Sequence, residues 1–132
     1  MEGERVLTIE HDWRLRKLIR ANLEPLGLSV QEAVGAEHGL ELLRASAPDL
    51  ILLDLDLPDL DLTHFVGRIL ALCSQPLPII VISAEPPTRQ FMQQAPTTSH
   101  LQKPFAAPAL LEQVQRALNH RDASGGSPSR GI

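Results

Sequence analysis

Tyrosine is absent from this chain, and aromatic residues make up only 3% of it. Its core must therefore be built from Leu, Ile, Val and Ala, a composition that suits sheets covered by helices. A single cysteine, Cys73, excludes an internal disulfide. Basic residues do not predominate: the net charge of -4 supplies no electrostatic footprint for nucleic acid. No apolar run reaches the roughly 20 residues needed to cross a bilayer, and Met1-Glu2-Gly3-Glu4-Arg5 lacks the apolar stretch of a signal peptide. The expectation is a cytoplasmic protein that binds neither DNA nor membrane directly. At 132 residues the chain is long enough for one domain with a real core and too short for two.

What is present is an alternation of short apolar runs with helical periodicities, the pattern of repeated βα units and a parallel sheet. Val6 to Ile9 reads as a first strand, followed by Leu15, Leu18, Ile19, Leu23 and Leu26 at helical spacing until Gly27 ends the helix. Leu28 to Ala33, Leu50 to Leu53 and Ile79 to Ser83 read as the next three strands, and residues 99 to 102 as a weak fifth. The intervening helices are expected over Ala36 to Ser46 and Thr63 to Leu72, and from Pro86-Pro87 to about Ala95, since proline is tolerated in a first turn. Ala107 to Leu118 closes the domain with Leu110, Leu111, Val114 and Leu118 facing inward. The Gly/Ser/Pro-rich stretch after it has the composition of a flexible linker or tail.

The third strand carries the chemistry. Ile51-Leu52-Leu53-Asp54 delivers a carboxylate to the strand's own carboxyl end, and the chain then turns at Pro58. In open α/β sheets the crevice beyond the strand ends is the usual ligand site, so Asp54 is a candidate nucleophile or metal ligand. Glu10-His11-Asp12 after the first strand, Ser83-Ala84 after the fourth and Lys103-Pro104-Phe105 after the fifth fit around it.

On these residues the chain resembles the receiver domain of bacterial two-component response regulators over about residues 4 to 120, with 121 to 132 as linker or tail. The resemblance implies an α/β fold, three-layered, (βα)5 and flavodoxin-like, with a five-stranded parallel sheet in the order 2-1-3-4-5. It also implies an acidic pocket for Mg²⁺ and a phosphoryl group taken from a sensor histidine kinase. Asp54 matches the phosphoacceptor in Asp-x-x-x-Pro. Ser83, the backbone N–H of Ala84, and Lys103 match the phosphate-contacting groups, and the bond before Pro104 is expected cis. Glu10, Asp54 and the backbone carbonyl of Asp56 match the metal ligands, with His11 or Asp12 as further donors; Ser83 and His100 match the switch pair. Phosphoryl transfer spreads negative charge over the equatorial oxygens, so such a site works by positioning and charge neutralisation. The only catalysis implied is of the domain's own phosphorylation and dephosphorylation. Output or homodimerisation is expected at the face of the fourth helix, fifth strand and fifth helix, and the chain is expected to be either an autonomous single-domain regulator or the N-terminal part of a longer protein whose effector, often DNA-binding, is absent here.

Three positions depart from the family pattern. His11 stands where the second member of the acidic pair is expected, and imidazole is a poor partner for a hard cation. Mg²⁺ affinity should fall; a protonated His11 would partly mimic the ion, and a neutral one would favour a softer divalent metal, Mn²⁺ included, or none. Leu62 replaces the usual glycine after Asp61, and His100 replaces the usual aromatic switch residue and reads as a partly exposed strand histidine. Asp12 reads as the N-cap of the first helix. Arg14, Arg16, Lys17 and Arg20 read as a solvated face, which in the family also docks the kinase, Trp13 as an aromatic near the pocket mouth, and Cys73 as a boundary residue. Two functional readings remain: a weakened phosphoacceptor, or a pseudo-receiver that signals through partner contacts without phosphate. A phosphatase of the Asp-x-Asp type fits poorly because Pro58 stands after Asp54-Leu55-Asp56, and a flavin-binding reading fails because the first loop lacks a Ser/Thr/Gly-rich phosphate cradle.

Overall fold

A computed structural model describes residues 3–73, 75–94 and 98–124. Five strands, β1 (Arg5–Ile9), β2 (Ser29–Ala33), β3 (Leu50–Asp54), β4 (Ile79–Ser83) and β5 (Thr98–Gln102), form one parallel sheet in the order β2-β1-β3-β4-β5. Five helices alternate with them: α1 (Trp13–Leu23), α2 (Ala36–Ala45), α3 (Leu62–Leu72), α4 (Arg89–Gln94) and α5 (Ala107–Ser124). This is the expected flavodoxin-like (βα)5 fold with the expected strand order.

Strand composition follows position in the sheet. β3 (LILLD) and β4 (IIVIS) are covered on both faces and buried throughout, as their unbroken apolar runs require. β2 and β5 lie at the edges and carry polar residues at exposed positions. Successive strand side chains point to opposite faces, so two cores form. Leu7, Ile9, Ile51, Leu53 and Val81 pack with Leu40, Leu43, Phe65 and Ile69 of α2 and α3. Val6, Leu50, Leu52, Ile80 and Ile82 pack with Ile19, Leu23, Leu110, Val114 and Leu118 of α1 and α5.

Several boundaries differ from the sequence reading, each for a local reason. The first helix stops at Leu23 and tightens into a 3₁₀ turn over Glu24–Leu26, because Pro25 has no N–H for the α-helical ladder; Gly27 then closes it at φ 88°. The fourth helix begins at Arg89 rather than at Pro86-Pro87. Each proline disfavours helical backbone in the residue before it, and Thr88 caps the helix by accepting from the Phe91 N–H at 3.1 Å. Ala95, where that helix was expected to end, lies outside the described residues. The third helix starts at Leu62, capped by Asp61, which accepts from the His64 N–H at 3.1 Å, so the residue in the family's glycine position opens a helix. The last helix continues past Leu118 to Ser124, since no glycine or proline interrupts it before Gly125. Residues 125–132, most of the expected tail, lie outside the described residues.

One capping device links two loops beside the site. Gly35 is the N-cap of α2 and brings no side chain to it. Asp59, from the loop after β3, does so instead, its carboxylate accepting from the N–H groups of Ala36 at 2.9 Å and Glu37 at 3.2 Å. A Cβ at position 35 would sit 3.1 Å from that carboxylate, so glycine lets the two loops approach.

These contacts set two expectations for stability. Gly27→Ala should cost about 1–2 kcal/mol in urea unfolding, because φ at 27 is left-handed. Asp59→Ala should cost about 1 kcal/mol at pH 7. The bond to Ala36 holds the Asp59 carboxyl below its ordinary value, so this contribution is present above the unfolded pKa and lost as pH falls through the folded one. The gap between wild type and variant should close below about pH 4.

Candidate functional site

The polar residues at the strand ends converge on the carboxyl edge of the sheet. Glu10 follows β1, and its N–H still donates to the Ala33 carbonyl at 3.0 Å, which extends the ladder by one residue. Asp54 is the last residue of β3; the next N–H, of Leu55, donates to the Ile82 carbonyl at 2.9 Å. Ser83 ends β4, and its carbonyl accepts from the Lys103 N–H at 2.9 Å. Backbone pairing thus fixes all four residues before any side-chain contact is made.

Glu10 and Asp54 are both fully buried. Asp54 Oδ1 accepts from the Asp56 N–H at 2.8 Å and from Lys103 Nζ at 3.3 Å, while Oδ2 lies 3.2 Å from His11 Nδ1. Glu10 Oε2 accepts from the Asp12 N–H at 3.2 Å and lies 3.4 Å from the same His11 nitrogen. Glu10 Oε1 makes no hydrogen bond and is 3.5 Å from Lys103 Nζ. Burial, together with the contact with Asp54, pushes the Glu10 carboxyl up to about 7. Burial works against ionisation of Asp54 as well, but Glu10, the Asp56 N–H and Lys103 outweigh it and hold Asp54 below its ordinary value. Burial likewise opposes the charge on Lys103, which the two carboxylates more than offset, so its pKa is raised. The pair behaves as two carboxylates sharing a site: the proton stays on Glu10 and the charge on Asp54.

Among the described residues, Glu10, His11 and Asp54 form the one group of three metal-capable side chains, with donor atoms all within 4.8 Å of one another. Two carboxylate oxygens and an imidazole nitrogen are a weakened Mg²⁺ site, because Mg²⁺ demands near-octahedral oxygen ligands. In its Nδ1–H form His11 donates to Asp54 Oδ2, and Lys103 supplies a cation on the other side. Asp12 takes no part through its carboxylate, which caps α1 by accepting from the Arg14 N–H at 2.9 Å. The Asp56 side chain is largely exposed, 4.0 Å from Lys103.

His100 lies in β5 as a partly exposed strand histidine, beside the Ser83 it was matched with. It is half-buried and faces the site: Nε2 lies 3.0 Å from Ser83 Oγ and 3.3 Å from the Ser83 carbonyl. Ser83 Oγ donates to the Glu85 carbonyl, so it accepts from His100 Nε2–H, and both its proton and a lone pair are engaged. Gln113 of α5 donates to the His100 carbonyl at 2.8 Å and ties the helix to this strand. The basic run on α1 is only partly a solvated face. Arg16 donates to the Glu10 carbonyl at 2.7 Å and to Glu32 at 3.0 Å, and Arg20 pairs with Glu32 and Glu24, which braces the first loop; Arg14 and Lys17 are exposed. Trp13 is exposed at the start of α1, and Cys73 is half-buried against the core, its thiol pushed up by burial. The Lys103-Pro104 bond is cis.

A parallel (βα)5 domain that gathers a buried aspartate, an acidic partner, a hydroxyl and a lysine at one sheet edge defines a signal-transduction receiver of the CheY-like class. The chain belongs to the response regulator receiver domain family, which matches residues 6–115. It is 30% identical over 119 residues to the KDP operon transcriptional regulatory protein KdpE of Escherichia coli (strain K12), covering 90% of this chain and 53% of that protein. The chain thus spans about half the length of that curated relative. In fold it is similar to a CheY-like receiver domain protein from Methanospirillum hungatei JF-1 (TM-score 0.82, 23% identity, covering 92% of this chain and 98% of that one). It is also similar to the receiver domain of the hybrid histidine kinase CckA (TM-score 0.72, 22% identity, covering 86% and 98%).

The raised Glu10 pKa fixes the sign of a pH effect. A group with a pKa raised by folding contributes stability that is present below its unfolded value and lost as pH rises through the folded one. Glu10→Gln, which keeps the shape of the protonated acid, should therefore exceed wild type in stability at pH 8 by on the order of 1–3 kcal/mol, with the gap shrinking toward pH 5. Chemical denaturation at both pH values measures it, and a gap independent of pH would refute the assignment.

Proposed function

We propose that this receiver signals through partner contacts and does not capture a phosphoryl group on Asp54 in a Mg²⁺-dependent way. The observation that carries this reading is His11 Nδ1, 3.2 Å from Asp54 and 3.4 Å from Glu10, on the carboxylate oxygens that a Mg²⁺ ion would need. Phosphoryl transfer to a buried aspartate requires extra positive charge at that point, and here a nitrogen donor stands in place of the second acid. The engagement of Ser83 by His100 and Glu85 supports the same reading, since the hydroxyl would have to leave both partners to meet a phosphoryl oxygen.

The remaining assignments belong to this proposal. Asp54 keeps the phosphoacceptor position, Ser83, the Ala84 N–H and Lys103 the phosphate-contacting positions, and Glu10 with the Asp56 carbonyl the metal positions. The domain spans residues 4–120, with α5 running on from there to Ser124, and the rest of the expected 121–132 stretch serves as a linker to an effector or as a tail. The partner class is a sensor histidine kinase, which the likeness to the receiver of a hybrid kinase supports. The contact surface is the face of α4, β5 and α5, available for homodimerisation or output; Gln113 and His100 couple that face to Ser83.

Incubation with a small-molecule phosphodonor and Mg²⁺, or separately Mn²⁺, and then intact-mass spectrometry, tests this. Wild type is expected to stay unmodified, and His11→Asp to gain one phosphoryl group that His11→Asp combined with Asp54→Asn loses. A metal-dependent adduct on wild type that Asp54→Asn removes would make the chain a working phosphoacceptor and overturn the proposal.

A further inference from the structure

β2 ends the sheet on one side and has a strand on one flank only. The Ser29 N–H donates to the Glu4 carbonyl at 2.9 Å, and the Ala33 carbonyl accepts from the Glu10 N–H at 3.0 Å. Backbone groups alternate sides along a strand, so Ser29, Gln31 and Ala33 serve β1 while Val30 and Glu32 turn their N–H and C=O groups away from the sheet. Arg20 Nη2 donates to the Val30 carbonyl at 2.9 Å, which agrees with that direction. A cleft of ≈ 500 Å³ lies along this edge, with Arg5, Ser29, Gln31, Ser46 and Pro48 in its wall.

We propose that the β2 edge binds the β2 edge of a second copy of this chain, antiparallel about a two-fold axis at Gln31, so that two sheets become one. Such a contact is isologous: whatever one copy offers, the other must accept. About that axis Val30 faces Glu32 of the second copy and Glu32 faces its Val30, so each outward N–H meets an outward carbonyl. A shift of one residue would set outward groups against inward ones. An axis at Glu32 would oppose two carboxylates, which is destabilising, and an axis at Val30 would carry Glu32 past the start of the facing strand.

Charge selects the same occupant. Val30 packs on the α1 side of the strand, where Glu32 also meets Arg16 and Arg20. Glu32 is the one charged residue of β2, and about this axis it arrives beside Val30, where Arg20 of the facing copy already stands. Arg20 then exchanges a carbonyl for a carboxylate. Gln31 is exposed on the other side of the strand, where the cleft leaves room for the side chains that an added strand brings. The two copies of Gln31 meet at the axis with Cα atoms about 4.5 Å apart. β5 lies at the opposite edge of the sheet, so this pairing does not rest on the partner-contact reading of the α4, β5 and α5 face.

Sedimentation velocity of the full chain at rising concentration tests the pairing. A contact through one short strand and its flanks is small, so wild type is expected to pass from monomer to dimer in the micromolar range. Gln31→Lys, which opposes two ammonium groups at the axis, should weaken association at least tenfold with an unchanged far-ultraviolet circular dichroism spectrum. A disulfide trap covers the case of a poorly folded lysine variant. In a Cys73→Ala background, Gln31→Cys should cross-link two copies under mild oxidation, because a disulfide spans Cα atoms about 4.4–6.8 Å apart. Ser29→Cys should not, since its two copies would lie roughly 14 Å apart. A chain that stays monomeric to millimolar concentration, or a dimer that Gln31→Lys leaves intact and Gln31→Cys does not trap, would overturn the inference.

Discussion

Glu10 and Asp54 are held out of water at the ends of two adjacent parallel strands, and the rest of the site is arranged around the cost of keeping them there. Neither would stay charged alone in such a place. Lys103 reaches both from the end of β5, two backbone N–H groups satisfy one oxygen of each, and the proton that remains settles on Glu10. The strands beneath leave no room to relax this arrangement, because β3 and β4 are buried on both faces and the Leu55 and Lys103 amides extend the ladder past the strand ends.

Two histidines change what that arrangement does. His11 brings nitrogen to the point where a receiver needs oxygen for Mg²⁺, and it lies within hydrogen-bonding reach of both carboxylates. His100 replaces an aromatic ring and bonds the one hydroxyl of the site, while Gln113 binds the same residue's backbone to α5. Both substitutions add polar contacts to the pocket, His11 to the two carboxylates and His100 to Ser83, at positions where the family pattern has an acid and an aromatic ring. The receiver architecture is retained with its ion chemistry altered.

Much of the fold was legible in the sequence where a local cause acts alone. Unbroken apolar runs marked the buried strands, Asp54 at the end of one of them marked the site, and Gly27 marked the end of the first helical segment. Other features were hidden because their partners are distant in sequence. Asp59 caps α2 across 23 residues, a contact whose only local trace is a glycine at the N-cap. Arg16 and Arg20 look like a solvated stripe until β2 brings Glu32 beneath them. His100 looks like an edge-strand histidine until β4 sets Ser83 beside it.

The sequence by itself determined the alternation of strands and helices, the residue types at each strand end, and the substitution of an acid by His11, because hydrophobic period, turn residues and motif spacing are properties of neighbouring positions. Only the tertiary structure decided that Glu10 keeps the proton while Asp54 carries the charge, that His11 lies within reach of both carboxylates, and that His100 holds Ser83. Those outcomes depend on burial and on distances of a few ångströms between elements remote in the chain, which exist only once the parallel sheet has brought its carboxyl ends together.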